Sequence, residues 1–122
     1  ENMNTFFGAV VAFSKTDFTK INGYPNAYWQ WGFEDQELHE RCILTGLTIK
    51  RREGVFHALP HVHEGLKPDG TEAEKGQISR QLYVRRKPFQ SVMMITDGLS
   101  SATFNLLRTD IDNELYHYRV EF

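Results

Sequence analysis

Two acidic residues stand at the start of an amphipathic run in the segment YWQWGFEDQELHERCILTG. Glu34 and Asp35 come shortly after two tryptophans and a glycine, namely Trp29, Trp31 and Gly32. A carboxylate in the first turn of a helix stays ionised next to the positive helix end, which suits a base that accepts a hydroxyl proton. Tryptophan rings offer flat apolar faces that can stack on the C–H side of a sugar. The residues alone fit a sugar site, and they equally fit dipole-complementing carboxylates beside two core tryptophans.

Two histidines lie two residues apart in the run VFHALPHVH. In a strand, the side chains of His61 and His63 would leave the same face, as two imidazole ligands of one metal ion require. His57 would share that face if Pro60 did not disturb the register. Two ligands make an incomplete metal site, so a carboxylate would have to come from elsewhere. A half-exposed, polar strand end is the simpler alternative.

The bulk composition excludes several classes of protein. A chain of 122 residues is one domain at most, and its formal net charge of −2 gives no general attraction to nucleic acid or to an anionic membrane. The single cysteine, Cys42, excludes an internal disulfide framework and a cysteine zinc cluster, and it is expected to be buried. The arginines of SRQLYVRRK, namely Arg80, Arg85 and Arg86, predict a solvated helix face.

The pattern of apolar and turn residues predicts an α/β chain in which strands and helices alternate. The run TFFGAVVAF (5–13) is near-continuously apolar, as in a strand that is covered on both faces. Ser14 and Asp17 have the spacing of a helix cap, and Gly46 is expected just after the helix that starts at Glu34. The remaining predicted elements are strands in LTIKR and VFHALPHVH, a basic helix over 73–87, a turn at Gly98 and a closing hairpin around Asp112-Asn113.

Several long motifs together resemble one family. The segment FFGAVVAFSKTDFTKINGYPNAYWQWGFED resembles the C-terminal catalytic segment of the β-1,4-galactosyltransferases, whose pattern is an F-G-G strand, an INGFPN turn and YWGWGGEDDD. ITDGLSSATFNLL is similar to the family's SDGLNSLTY run, and HVH falls where a metal-binding histidine is expected. The resemblance implies that residues 1–122 are the C-terminal half of a GT-A nucleotide-diphospho-sugar transferase fold, an α/β fold with a mixed sheet and flanking helices. The N-terminal, donor-binding half with its Asp-x-Asp motif would be absent from this chain.

The resemblance implies a role for each matching residue of an inverting glycosyltransferase. A hexosyl group of the galactosyl type would pass from a nucleotide-diphosphate sugar, such as UDP-galactose, to a carbohydrate acceptor. Asp35 would deprotonate the acceptor hydroxyl, and Glu34 would help to bind the acceptor. Trp31 would stack on the sugars at the tip of a mobile loop, with Trp29 and Gly32 also on the substrate side. His61 would be a Mn²⁺ ligand, and His63 matches the second histidine of the family's xylose-acceptor branch.

The sequence departs from the family pattern at positions that bear on the sugars. Gly8 keeps a strand glycine that would pass close to the donor, whereas Ala9 replaces the next one. Phe6 stands where a tyrosine helps to choose the donor, and Phe33 replaces a glycine or an arginine. Gln36 replaces an acidic residue that contacts the acceptor. With these departures the expected reaction type is unchanged, but the identities of the donor sugar and the acceptor sugar stay open.

A second class of function competes with the enzyme. A carbohydrate-binding or interaction module derived from the family would need no donor half, but it would also need no metal ligands. The compartment stays open, with a Golgi lumen expected for an animal-type protein and the cytoplasm for a bacterial one. The apolar run 5–13 predicts self-association through the face on which the donor half would dock.

Overall fold

The computed structural model describes residues 7–55, 57, 59–60 and 64–122. Its regular structure consists of α-helices and one two-stranded antiparallel sheet. The elements are α1 (Lys15–Lys20), α2 (Glu34–Leu44), α3 (Glu74–Arg86), α4 (Gln90–Thr96), β1 (Asn105–Asp112) and β2 (Leu115–Glu121). Short 3₁₀ turns cover Lys87–Phe89 and Leu99–Ser101. No helix within the described ranges has the length and apolar character needed to cross a membrane.

Two helix ends have the predicted capping residues, namely the start of α1 and the end of α2. Ser14 Oγ accepts the backbone N–H of Asp17 at 3.0 Å and so caps the start of α1. The end of α2 is closed by Gly46, whose φ of 68° is left-handed. The N–H of Leu47 then reaches back to the carbonyl of Cys42 at 3.0 Å, which is the Schellman arrangement. Both predictions are confirmed, because caps depend on local residues only.

The core lies between α1, α2 and the apolar segments on either side of them. Ile21, Leu38 and Cys42 are fully buried, and Cys42 is a free thiol, as expected. Burial raises the pKa of that thiol. Six partly buried apolar side chains pack against this centre, namely Phe7, Val11, Phe13, Phe18, Leu47 and Ile49.

The strand predicted at 5–13 is wrong in its described part. Residues 7–13 are irregular although Phe7 and Phe13 contribute to the core, and Val10 is 92% exposed. LTIKR (47–51) is likewise irregular, and the described residues of VFHALPHVH form no strand. A strand must pair its backbone groups with a neighbour, and the sheet in the described ranges has only β1 and β2. The apolar content of these runs therefore predicted part of their contact with the core, but neither strand pairing nor burial on both faces.

The predicted closing hairpin is confirmed. Ile111 pairs with Tyr116, and the turn residues Asn113 and Glu114 both have positive φ, at 46° and 68°. Alternation places Ile111, Tyr116 and Tyr118 on one face, and all three are exposed. Helix α4 was not predicted, because its run QSVMMIT is short and contains three β-branched residues, which have a lower helix propensity.

Ala9 and Phe33 are two of the five described non-glycine residues with a positive φ, a conformation that glycine adopts without cost. Ala9 has a φ of 64° and Phe33 a φ of 75°. Left-handed backbone costs a residue with a Cβ roughly 1–2 kcal/mol. Both are positions at which this sequence departs from the motifs of the family that it resembles.

Candidate functional site

Glu34 and Asp35 form the first turn of α2, as the sequence predicts. The Oε2 atom of Glu34 is buried and has no hydrogen-bond partner among the described residues. Burial raises the pKa of Glu34, its own backbone N–H opposes that rise, and the negative charge of Asp35 adds to it. A buried carboxylate oxygen without a donor can accept a hydrogen bond from a ligand hydroxyl.

The neighbouring carboxylate has a different environment. Asp35 Oδ1 accepts the backbone N–H of Gln36 at 2.8 Å, and the Gln36 side chain is exposed. The phenol of Tyr24 lies near both carboxylates. Its pKa is raised by burial first and then by the charges of Glu34 and Asp35, which places it within electrostatic range of both. The sequence analysis missed Tyr24, because a tyrosine in a turn carries no signal of what lies opposite it.

Trp31 lies outside the core, and its ring packs against Gly65, a glycine from a distant part of the chain. It is 40% exposed, and the following Gly32 has a left-handed φ of 88°. A Cβ added to the buried Gly65 would lie 1.8 Å from Cε3 of the Trp31 ring and 2.2 Å from Cζ3. The ring therefore rests directly on the Gly65 backbone, at a distance that only glycine allows.

Gly65→Ala is expected to displace Trp31, because the new methyl group would occupy the volume of the indole ring. We expect a destabilisation of about 1–3 kcal/mol by chemical denaturation, together with a shift of the tryptophan fluorescence maximum. Trp31→Ala in the Gly65→Ala background should remove most of that destabilisation, since the clash disappears with the ring. Equal effects of Gly65→Ala with and without Trp31 would contradict the contact.

Trp29 occupies different surroundings. Its side chain is 74% exposed, and its ring meets the ring of Phe122 edge-on, with the centroids 5.8 Å apart. It lines a pocket of about 340 Å³ whose lining carries no charged side chain. Further lining residues are Asn26, Tyr28, Ser101 and Thr103. The described structure thus gives the two tryptophans separate neighbours, although the sequence groups them together.

A buried ion network lies directly behind the site. Glu37 and Arg41 are fully buried on α2, and Arg41 Nη2 donates to Glu37 Oε1 at 3.0 Å. Arg86 donates to both Glu37 oxygens at 2.8 Å and to Asp97 Oδ2 at 2.6 Å. The Tyr28 hydroxyl donates to Glu37 Oε2 at 2.8 Å. Glu37 thus accepts hydrogen bonds from three side chains that belong to three segments of the chain.

The hydrogen bonds of this network keep its central carboxyl group, that of Glu37, ionised. Burial alone would raise the pKa of Glu37, but hydrogen bonds from Arg86, Tyr28 and Arg41 outweigh it and lower the pKa to about 2. Hydrogen bonding to Glu37 raises the pKa of Arg86, against the effect of burial. Glu37 is ionised in the folded protein at neutral pH.

The predicted solvated face of α3 is wrong for one of its three arginines. Arg80 and Arg85 are exposed, and Arg80 pairs with Glu72 at 2.9 Å. Arg86 instead points into the ion network, with a side chain that is only 11% exposed. A basic run has the same pattern whether its partners are water or buried carboxylates, so the sequence could not separate these outcomes.

The ring of Phe33 ties the start of α2 to α3. Its centroid lies 5.4 Å from that of Tyr83, and the guanidinium of Arg80 lies 5.7 Å from it. These contacts offset part of the cost of the left-handed backbone at Phe33.

The predicted metal ligands and one donor-side residue cannot be placed. His61, His63 and Phe6 lie outside the described residues. Within the described ranges, no group of three or more His, Cys, Asp or Glu side chains is arranged to hold a metal ion. Gly8 is half-buried next to Phe7, whose ring stacks on His39 with the centroids 4.9 Å apart.

Helices with a small sheet, and a carboxylate pair opening one helix, are compatible with an α/β glycosyltransferase domain. Residues 1–64, more than half of the chain, match the family model described as the N-terminal domain of galactosyltransferase. The chain belongs to the galactosyltransferase family.

Individual relatives agree with this assignment. Human β-1,4-galactosyltransferase 1 is 32% identical over 102 residues, which cover 84% of this chain and 24% of the relative. Rat β-1,4-galactosyltransferase 6 is 43% identical over 63 residues, covering 49% of this chain and 16% of the relative. Pig β-1,4-galactosyltransferase 5 is 42% identical over 65 residues, covering 51% and 17%. The chain therefore spans about a quarter or less of the length of these relatives.

Proposed function

We propose that this chain is the acceptor-side and metal-side part of an inverting glycosyltransferase of the GT-A type. The observation that carries the proposal is the buried Glu34 Oε2 without a hydrogen-bond partner, next to Asp35 in the first turn of α2. A carboxylate oxygen is costly to bury without a donor, so its presence suits a site that receives a ligand hydroxyl. Family membership supports glycosyl transfer as the reaction.

In the proposed reaction, the acceptor hydroxyl oxygen bonds to the anomeric carbon of the donor sugar. The bond from that carbon to the diphosphate oxygen breaks, the diphosphate leaves with the electron pair, and the hydroxyl proton passes to Asp35. A base placed in this way contributes typically 10²–10⁴-fold to the rate. Glu34 accepts a hydrogen bond from the acceptor and orients it. Trp31 covers the apolar side of the acceptor sugar.

The proposed donor is a nucleotide-diphosphate hexose, with UDP-galactose as the first candidate. We assign Phe6 and Gly8 to the donor side as part of this proposal. Trp29, Gly32 and Gln36 complete the proposed substrate contacts. Gly32 gives the segment its left-handed turn, and Gln36 presents an exposed amide after the carboxylates. Self-association through the apolar segment that includes Val10 stays a prediction.

Transfer by the full-length protein tests the proposal. The protein is incubated with a panel of nucleotide-diphosphate sugars and carbohydrate acceptors, and released nucleotide diphosphate and glycosylated acceptor are both measured. Equal amounts of the two products are expected, with inverted configuration at the anomeric carbon by NMR. Acceptor binding without any transfer would favour the alternative, a non-catalytic carbohydrate-binding module.

The proposed cofactor is Mn²⁺, held by His61 and His63 together with carboxylates from outside this chain. A bound divalent ion supplies charge neutralisation of the departing diphosphate. Two imidazoles alone suit Zn²⁺ or Ni²⁺ better than Mn²⁺, which prefers oxygen ligands. The isolated chain should therefore bind Mn²⁺ only weakly.

His61→Ala in the full-length protein is expected to abolish transfer and to weaken Mn²⁺ binding. Loss of an outer-shell partner already costs about 10–100-fold in metal affinity, and loss of a direct ligand should cost at least as much. Titration calorimetry with Mn²⁺ measures the binding, and circular dichroism checks that the fold is retained. His57→Ala is the matched control, since His57 is exposed in the same run of histidines. Unchanged Mn²⁺ affinity and transfer in His61→Ala would remove the metal assignment.

A further inference from the structure

The Tyr28 hydroxyl connects the tryptophan-bearing segment to the buried ion network. It donates to Glu37 Oε2 at 2.8 Å, in a part-buried position. Tyr28 directly precedes the segment Trp29–Phe33, and α2 begins directly after it at Glu34. One end of this segment therefore continues into α2 through the chain, and the other end is joined to α2 by the Tyr28–Glu37 hydrogen bond.

Glu37, which accepts this hydrogen bond, is itself held in place by Arg86. Arg86 binds both oxygens of Glu37, and its guanidinium lies 5.8 Å from the centre of the Tyr28 ring. Hydrogen bonds between ionised groups are about twice as strong as neutral ones. Both the ring and the hydroxyl of Tyr28 thus contact groups of the network.

The residues that precede Tyr28 are attached to the same network. The Asn26 backbone N–H donates to Asp97 Oδ1 at 2.9 Å, and Arg41 Nη1 donates to the Gly23 carbonyl at 3.0 Å. A Cβ on Gly98 would lie 2.0 Å from the Asn22 carbonyl oxygen, so these two backbones are in close contact. The chain leading into Tyr28 is therefore held in place from several directions.

We propose that Tyr28 is a positioning residue, whose hydroxyl bond to Glu37 sets where the Trp29–Phe33 segment lies relative to Glu34 and Asp35. Its importance for catalysis rests on the proposed function, in which Trp31 and the two carboxylates contact one acceptor sugar. Such a site depends on a fixed separation between its parts, and a misplacement of about 1 Å can cost about 10²-fold in rate. The contacts of Trp31 with Gly65 and of Phe33 with Tyr83 hold the later part of the segment, and the Tyr28 bond holds its start. The left-handed Gly32 lies between these anchored parts.

Tyr28→Phe in the full-length protein tests the proposal, because it removes the hydroxyl and keeps the ring next to Arg86. Tyr83→Phe is the matched control: the Tyr83 hydroxyl also donates to a carboxylate of α2, Glu40 Oε1, at 3.0 Å. We expect Tyr28→Phe to raise the acceptor KM roughly tenfold and to leave the donor KM unchanged. Tyr83→Phe should change neither constant by more than about twofold.

A second readout does not depend on activity. Hydrogen–deuterium exchange followed by mass spectrometry should show faster exchange in the peptide covering 29–33 for Tyr28→Phe, and no change there for Tyr83→Phe. Faster exchange confined to 29–33 supports the positioning role even if the parent protein transfers no sugar, a result that would overturn the proposed function instead. The positioning role is overturned if exchange at 29–33 stays at the parental rate. It is also overturned if both variants raise both KM values equally.

Discussion

Asp35→Asn is expected to reduce the turnover number of the full-length protein by at least about 10²-fold, with the melting temperature nearly unchanged. Asparagine has the shape of aspartate but cannot take the hydroxyl proton, and base catalysis typically contributes 10²–10⁴-fold. Its amide oxygen can still accept the Gln36 N–H that Asp35 Oδ1 accepts at 2.8 Å, so the start of α2 should persist. Steady-state kinetics with varied acceptor, together with thermal unfolding, measure the two effects.

Glu34→Gln is the matched control for Asp35→Asn, because it makes the same change one residue earlier. Glu34 is proposed to bind the acceptor, so the acceptor KM should rise while the turnover number falls far less than in Asp35→Asn. A raised pKa also suits a general base, so the same experiment tests the opposite assignment, in which Glu34 is the base. A large loss of turnover in Glu34→Gln with near-parental turnover in Asp35→Asn would make Glu34 the base.

Glu37→Gln is expected to destabilise the protein by about 3–5 kcal/mol, the usual cost of removing one partner from a buried ion pair. The substitution leaves the fully buried Arg41 and the mostly buried Arg86 without their shared carboxylate. Urea denaturation measures the free energy of unfolding. Glu40→Gln is the control on the same helix, because its ion pair with Lys87 is longer, at 3.4 Å, and more exposed, and should contribute about 1 kcal/mol or less. Similar losses in the two variants would show that the network does not hold the fold together.

The stabilisation by Glu37 should also depend on pH with a definite sign. The pKa of Glu37 is about 2 in the folded protein and 4.5 in the reference state. The unfolded chain therefore takes up a proton first as the pH falls, so the contribution is fully present above about pH 4.5 and is lost towards pH 2. The difference in unfolding free energy between parent and Glu37→Gln should shrink over that range. A difference that stays constant from pH 6 to pH 2 would contradict the depressed pKa.

Local features of the sequence determined much of what the structure contains. The cap at Ser14, the left-handed Gly46 and the turn of the closing hairpin follow from residues within a few positions of each other. The placement of Glu34 and Asp35 in the first turn of α2 belongs to the same class, because helix starts have local signals. Family membership was also readable, since long motifs carry it without any knowledge of contacts.

Only the tertiary structure decided which polar groups are buried and which segments meet. Nothing near Arg86 in the sequence indicates that it binds Glu37, 49 positions away, and nothing near Gly65 indicates that it supports Trp31. The apolar run ending at Phe13 became irregular core-packed chain, because strand formation requires a partner that local residues do not specify. Hydrogen bonds, ion pairs and close packing contacts depend on distances through space, and a sequence pattern contains only distances along the chain.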